Sequence, residues 1–121
     1  MKNTTLVIGA SLQSTRYSNK AIELLVEKAM PTIAIGAKEG EVAGIKIYKY
    51  QKMFENIDTV TLYINPKIQE VYYDYVIRLC PRRVIFNPGT ENVEFTKLLR
   101  RNHILVEEAC TLVLLSINQY S

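Results

Sequence analysis

A chain of 121 residues can bury one substantial core without disulfides or a structural metal, and 48% apolar with 22% charged residues excludes a disordered, solvating chain. Its formal net charge of +3 tolerates an anionic ligand but lacks the dense basic block of a nucleic-acid footprint.

Thr4 to Ile8 is a β-branched and aliphatic run bounded by Gly9, the pattern of a buried strand. Small and polar residues follow, and then Ile22, Leu25, Val26 and Ala29 recur at helical spacing up to Pro31. Thr32 to Ile35 is a second apolar strand. Strand, helix and strand in so short a span make a βαβ unit, whose strands are parallel. Gly36, Gly40 and Gly44 punctuate a loop carrying Lys38, with Ile45 to Tyr48 expected as a short strand at the sheet edge and Tyr50 to Asn56 as a brief helical turn or loop.

Thr59 to Ile64 reads as the next strand, with Asp58 just ahead of it. Asn65-Pro66 is a sharp helix start, because Asn caps free N–H groups and Pro suits the first helical position. Ile68, Val71, Tyr72, Tyr75, Val76 and Leu79 then follow the amphipathic period, predicting one helix stopped by Pro81, with tyrosines packed and their hydroxyls at the rim. Arg83 to Phe86 is a strand ended by Asn87-Pro88-Gly89. A helix from about Thr90 to Arg101 should bury Phe95, Leu98 and Leu99, with Arg100-Arg101 complementing its dipole. Ile104 to Val106 and Ala109 to Ile117 complete the alternation as a last strand and a closing apolar helix. The prediction is a single α/β domain over residues 1–121, three layers deep, with a mostly parallel sheet of five or six strands.

In an open parallel sheet, ligands bind beyond the carboxyl ends of the strands. Those ends are Gly9-Ala10-Ser11, Gly36-Ala37-Lys38, Asn65-Pro66 and Asn87-Pro88-Gly89, where small and polar residues gather. At the first of them Ser11, Ser14, Thr15 and Ser18 supply hydroxyls and Arg16 and Lys20 supply positive charge, at the start of a helix whose first N–H groups lack internal partners. Phosphate binding is one reading of this turn; a tight βα turn with Ser14, Thr15 or Ser18 as a plain helix cap is the other. A dinucleotide site for NAD would want G-x-G-x-x-G and an acid after the second strand, whereas this chain has a lone Gly9 and Lys38. A ligand with a phosphate near its adenosine ribose, NADP or coenzyme A, fits better.

Val7-Ile8-Gly9-Ala10-Ser11, Arg16-Tyr17-Ser18-Asn19-Lys20-Ala21, Asn65-Pro66 and Phe86-Asn87-Pro88-Gly89-Thr90-Glu91-Asn92, in this order and spacing, resemble the single-domain CoA-binding proteins. These are small relatives of the nucleotide-binding domain of the succinyl-CoA synthetase alpha subunit. The resemblance covers nearly the whole chain and implies a Rossmann-like fold that binds CoA across the strand ends. It implies phosphate contacts at Gly9, Ala10, Ser11, Arg16 and Ser18, and Lys38 facing the phosphorylated ribose. It further implies Asn65 and Pro66 on the adenine or pyrophosphate side, and Asn87, Pro88 and Gly89 beside the pantetheine path.

No catalytic constellation accompanies these turns. His103, the sole histidine, has no acid or serine partner nearby in sequence; Asp58 precedes its strand, and Glu107 and Glu108 are expected after theirs, facing solvent. Cys80 and Cys110 form neither a zinc signature nor a C-x-x-C pair, and their apolar neighbours predict two buried thiols. The first expectation is therefore a binding module for CoA or an acyl-CoA without turnover. The alternatives are a small NADP-dependent oxidoreductase or a detached subunit of an acyl-CoA ligase, and a Rossmann-like structural protein that has lost its ligand. A bulky residue in place of Gly9 should abolish binding and leave the fold nearly intact. The partner implied is a small nucleotide ligand, with no nucleic acid and no membrane. The tyrosine-rich helix and the apolar C-terminal segment are candidate interfaces for a homodimer or a protein partner. The longest apolar stretch, near Leu112 to Ile117, is too short to span a bilayer and the N-terminus lacks a signal-peptide pattern, so a cytoplasmic location is expected.

Overall fold

The computed structural model describes residues 3–121. Its seven strands are β1 (Thr4–Ala10), β2 (Thr32–Gly36), β3 (Gly40–Val42), β4 (Ile45–Tyr48), β5 (Ile57–Leu62), β6 (Arg83–Phe86) and β7 (Leu105–Glu108). They form one sheet in the order β3-β4-β2-β1-β5-β6-β7, in which every neighbouring pair is parallel except β3 with β4. The helices are α1 (Tyr17–Glu27), α2 (Pro66–Gln69), α3 (Tyr73–Leu79), α4 (Val93–Arg101) and α5 (Thr111–Ser116). Among the described residues no helix is long and apolar enough to cross a membrane.

The near-continuous apolar runs of the central strands are explained by burial on both faces. Leu6 and Ile8 of β1, Val60 and Leu62 of β5, and Val84 and Phe86 of β6 point to one side, where they pack with Tyr75, Val76, Phe95 and Leu99 of α3 and α4. Val7, Ala34, Ile47 and Ile85 point to the other, against Ile22 and Leu25 of α1 and Leu115 of α5. Each such fully buried aliphatic or aromatic side chain contributes roughly 1.5–3 kcal/mol. The result is the three-layer α/β arrangement expected from the alternation.

Seven strands replace the five or six predicted, and the addition is β3. Its three residues are too few to show a period, and they fold back on β4 through Ala43 and Gly44, both at positive φ (50° and 83°). That is the geometry of a two-residue primed turn, built without the usual Asn-Gly signal. A second correction concerns the helix predicted from Pro66 to Leu79, which is interrupted by a 3₁₀ turn at Glu70–Tyr72. Gln69 is fully buried and donates to Ile64 O and Thr90 O, so that position, rather than Ile68 or Val71, faces inward. Ile68 and Val71 are 48% and 68% exposed; the tighter 3₁₀ turn then brings Tyr75 and Val76 back into the core.

Smaller shifts follow the same logic. Ala29 is exposed in the left-handed turn after α1 (φ 57°) instead of on its packed face, and Leu98 is only half-buried. Cys80 is exposed at the left-handed C-cap of α3 and Cys110 is half-buried ahead of α5, so neither thiol is the buried one predicted. Between β4 and β5 the chain crosses the sheet as a loop rather than a helix. There Gln51 Nε2 donates to Val71 O at 2.7 Å, the Tyr75 hydroxyl donates to Lys52 O, and the Lys52 ammonium lies 5.3 Å from the Tyr48 ring centroid.

Candidate functional site

β1 lies at the point where strand order reverses: the chain leaves it through α1 toward β2 on one side, while β5 flanks it on the other. The crevice beyond the carboxyl ends of β1 and β5 is the topological switch point of the sheet. Gly9 sits there at φ +95°, and a Cβ on it would lie 2.9 Å from both the Tyr63 carbonyl carbon and Ile64 Cγ2. The two strand ends approach this closely only because residue 9 has no side chain. The expectation that a bulky residue at this position spares the fold is therefore wrong. Gly36 is held to the same requirement, since a Cβ there would meet Ala10 O at 2.3 Å.

The loop after Gly9 is fastened from beneath. Asn19, buried in the first turn of α1, donates Nδ2 to Ser11 O at 2.9 Å, and Ser11 Oγ accepts from Gln13 N at 3.1 Å. Arg16 N donates to Gln13 O at 3.1 Å, closing the turn before the helix. Arg16 is itself the N-cap, with extended backbone and no side-chain capping bond, so neither Ser14, Thr15 nor Ser18 plays the plain capping role. The first turn of α1 carries no acidic residue, and the exposed Arg16 and Lys20 add positive charge to the end where the dipole already favours an anion. Ala10 and Ser18 are buried and Ser11 is half-buried. Arg16 Nε makes a long contact to Gln13 Oε1 (3.3 Å), which leaves its guanidinium largely available.

The other predicted ligand turns surround this one. Ala10 is in register with Gly36, so the β2 turn with exposed Lys38 adjoins the first loop. On the opposite flank Asn65 caps α2 by accepting from Ile68 N at 3.0 Å, and Pro66 is the first helical residue; both are exposed. Pro88 and Gly89 are exposed at the end of β6, Gly89 at φ +91° with its N–H donating to Glu91 Oε1.

Asn87 behaves differently. Only 2% exposed, it donates Nδ2 to Thr61 Oγ1 (2.6 Å) and Leu62 O (2.9 Å) and accepts from Thr111 N at 2.9 Å. Its side chain joins the ends of β5 and β6 to the start of α5. Gln69 and Asn92 extend this buried polar cluster: Asn92 Nδ2 donates to Gln69 Oε1 and to the Tyr73 hydroxyl, while Asn92 Oδ1 caps α4 at Phe95 N. Asn19, Gln69 and Asn92 carried no visible role in the sequence, although Asn92 three residues before Phe95 has the spacing of an N-cap. Beside the cluster, burial raises the Tyr63 hydroxyl well above the ordinary tyrosine range, against a smaller opposing effect of the Thr111 and Thr61 hydroxyls.

The remaining polar groups lie elsewhere. Asp58, inside β5 rather than ahead of it, receives Arg82 Nε at 2.8 Å and Nη2 at 3.0 Å at the amino end of the sheet. Arg83 is buried beside it, donating to Thr59 Oγ1 and Glu107 Oε1 with its guanidinium 4.6 Å from the Tyr120 ring centroid. Glu107 and Glu108 thus belong to β7 and not to the loop after it, and Glu107 is an ion-pair partner. His103 is exposed in the turn after α4 at φ 61°.

Among curated proteins no significant match is found. A solved structure described only as an uncharacterized protein is 44% identical, with 98% of each chain covered and a TM-score of 0.94. A hypothetical protein from Pyrococcus horikoshii OT3 is 22% identical over 99% of this chain and 85% of its own, with a TM-score of 0.86. A Thermus thermophilus protein is 21% identical over 98% and 90%, with a TM-score of 0.85; these two share the fold. The family profile described as CoA binding domain matches residues 3–116, and with strand order, switch point and open helix start all in agreement, the chain belongs to the CoA binding domain family.

Proposed function

We propose that this chain is a single domain, residues 1–121, that holds coenzyme A or an acyl-CoA across the carboxyl ends of β2, β1, β5 and β6 and catalyses no reaction on it. The open first turn of α1 carries this reading. A helix start at the switch point, without a side-chain cap or acidic residue and with Arg16 and Lys20 exposed beside it, suits the ligand's pyrophosphate. Gly9, Ala10, Ser11, Arg16 and Ser18 line that subsite. Lys38 answers the phosphate on the 3′ oxygen of the ribose, Asn65 and Pro66 flank the adenine or pyrophosphate side, and Pro88 and Gly89 border the pantetheine arm. Asn87 supports that last turn from within, through hydrogen bonds that use both Nδ2 protons and leave Oδ1 one further acceptor site toward the pantetheine path.

The test is calorimetric titration of the purified protein with CoA, acetyl-CoA, dephospho-CoA and NADP in one buffer. CoA should bind, and dephospho-CoA should bind roughly tenfold or more weakly, since a charge-assisted hydrogen bond is worth about 1.5–3 kcal/mol. Equal affinity for CoA and dephospho-CoA would remove Lys38 from the site. A preference for NADP would replace this reading with that of a small oxidoreductase, and absence of binding to all four would leave a domain without its ligand.

A further inference from the structure

The outer face of the α1–α5 layer is unpartnered and has a charge order that matches itself. α1 turns Ser18, Ala21, Ile22 and Leu25 inward and leaves Lys20, Glu23 and Glu27 exposed, with Leu24 half-buried beside them. α5 lies alongside, and its Leu112 shares a shallow open groove with Leu24, Lys20 and Glu27. One helical turn apart on the outward side of α5 and its C-cap, Val113 and Ile117 are 54% and 57% exposed. The face therefore has an apolar strip of Leu24, Leu112, Val113 and Ile117, flanked by the charges of α1.

Those charges run from positive to negative along the helix. Lys20 lies in the first turn and Glu27 is the last residue, about 10 Å apart at 1.5 Å per residue. Two copies of α1 laid antiparallel bring Lys20 opposite the partner's Glu27, and the two-fold axis repeats the pair. A parallel arrangement would set Lys20 against Lys20 and Glu27 against Glu27, whereas the antiparallel one leaves only Glu23, opposite the partner's Leu24, near its own copy. We propose that this face mates with a second copy of the chain about a two-fold axis, with the apolar strips at the centre and reciprocal Lys20–Glu27 pairs on the flanks. The apolar strip and Glu27 lie on the outer surface of the helix layer and not on the carboxyl edge of the sheet, while Lys20, at the start of α1, borders both that face and the proposed ligand site.

Sedimentation equilibrium across the micromolar range tests it. The wild-type chain should weigh twice 13.9 kDa. Val113→Glu, a change at an exposed position, should give the single mass with an unaltered circular dichroism spectrum. Glu27→Lys should weaken dimerisation roughly tenfold or more, and Lys20→Glu added to it should restore the dimer, because the reciprocal pair is rebuilt with its signs exchanged. A wild-type chain that stays monomeric overturns the proposal, as does a dimer indifferent to Val113→Glu. A charge exchange that fails to restore association overturns the antiparallel pairing.

Discussion

Replacing Asn87 by Ala should destabilise the protein more than its small size suggests. The side chain is 2% exposed and makes three hydrogen bonds that join β5, β6 and α5. Truncation takes the acceptor from Thr111 N and a donor from Leu62 O, while Thr61 Oγ1 keeps its bond to the Thr111 hydroxyl at 2.7 Å. Each lost bond counts about 1 kcal/mol net, and a buried group left without a partner about 1–3 kcal/mol. The sum, roughly 3–5 kcal/mol, is a large part of the 5–15 kcal/mol typical of a whole domain. Urea denaturation followed by circular dichroism reads it directly. Asn87→Asp is the informative comparison, because it keeps the acceptor for Thr111 N but sets an oxygen against Leu62 O. Burial and that carbonyl raise the new carboxyl's folded pKa above its unfolded one. Its penalty is then small in acid and grows as pH rises above about 4. A cost below about 1 kcal/mol for Asn87→Ala, or an Asn87→Asp variant whose relative stability is flat with pH, would refute this account of the strand ends.

Gly9→Ala should lower stability by roughly 2–4 kcal/mol, combining left-handed backbone strain with a Cβ 2.9 Å from the Tyr63 carbonyl carbon; denaturation equal to wild type would disprove the close approach. The Arg82 guanidinium, through its hydrogen bonds, holds the Asp58 carboxyl below its ordinary value of 3.8. The stability this supplies is complete above that value and is lost as pH falls through the lower folded one. Asp58→Asn should therefore flatten the acid limb of a melting-temperature profile, and an unchanged acid slope would exclude the linkage. Arg16→Ala should weaken CoA binding roughly tenfold with the melting temperature unchanged, as among the described residues the exposed side chain's hydrogen bond is a long one, to Gln13 Oε1 at 3.3 Å. Asn19→Ala should weaken binding as well, but together with stability, because it releases Ser11 O from the helix that holds it; thermal melts beside the titration separate the two cases.

The elements legible in the chain were those with a strong local period. β1, β2, β5 and β6 announced themselves as apolar runs, and α4 as an amphipathic one that buries Phe95 and Leu99 as expected. β3 was invisible because Gly40–Val42 has no period and its turn uses Ala43 in place of Asn. The break between α2 and α3 was hidden because Ile68 and Val71 fit the helical period as well as any core residue. What turns them outward is Gln69, drawn inward by carbonyls at Ile64 and Thr90.

Sequence by itself determined a βαβ start, a glycine turn with hydroxyls and basic residues leading into a helix, and small polar residues at four strand ends. Those are local properties of neighbouring residues. Only the tertiary structure decided what each polar group is used for. Asn87 and Thr111 stand 24 positions apart, as do Arg83 and Glu107, and Asn92 and Gln69 stand 23 apart. No local pattern relates such pairs; they meet because parallel strands place their ends side by side. The same packing made Gly9 a requirement of the β1–β5 approach and not only of a ligand. It tied Asn87 to β5 and α5 and left the first turn of α1, with Arg16 beside it, open to solvent.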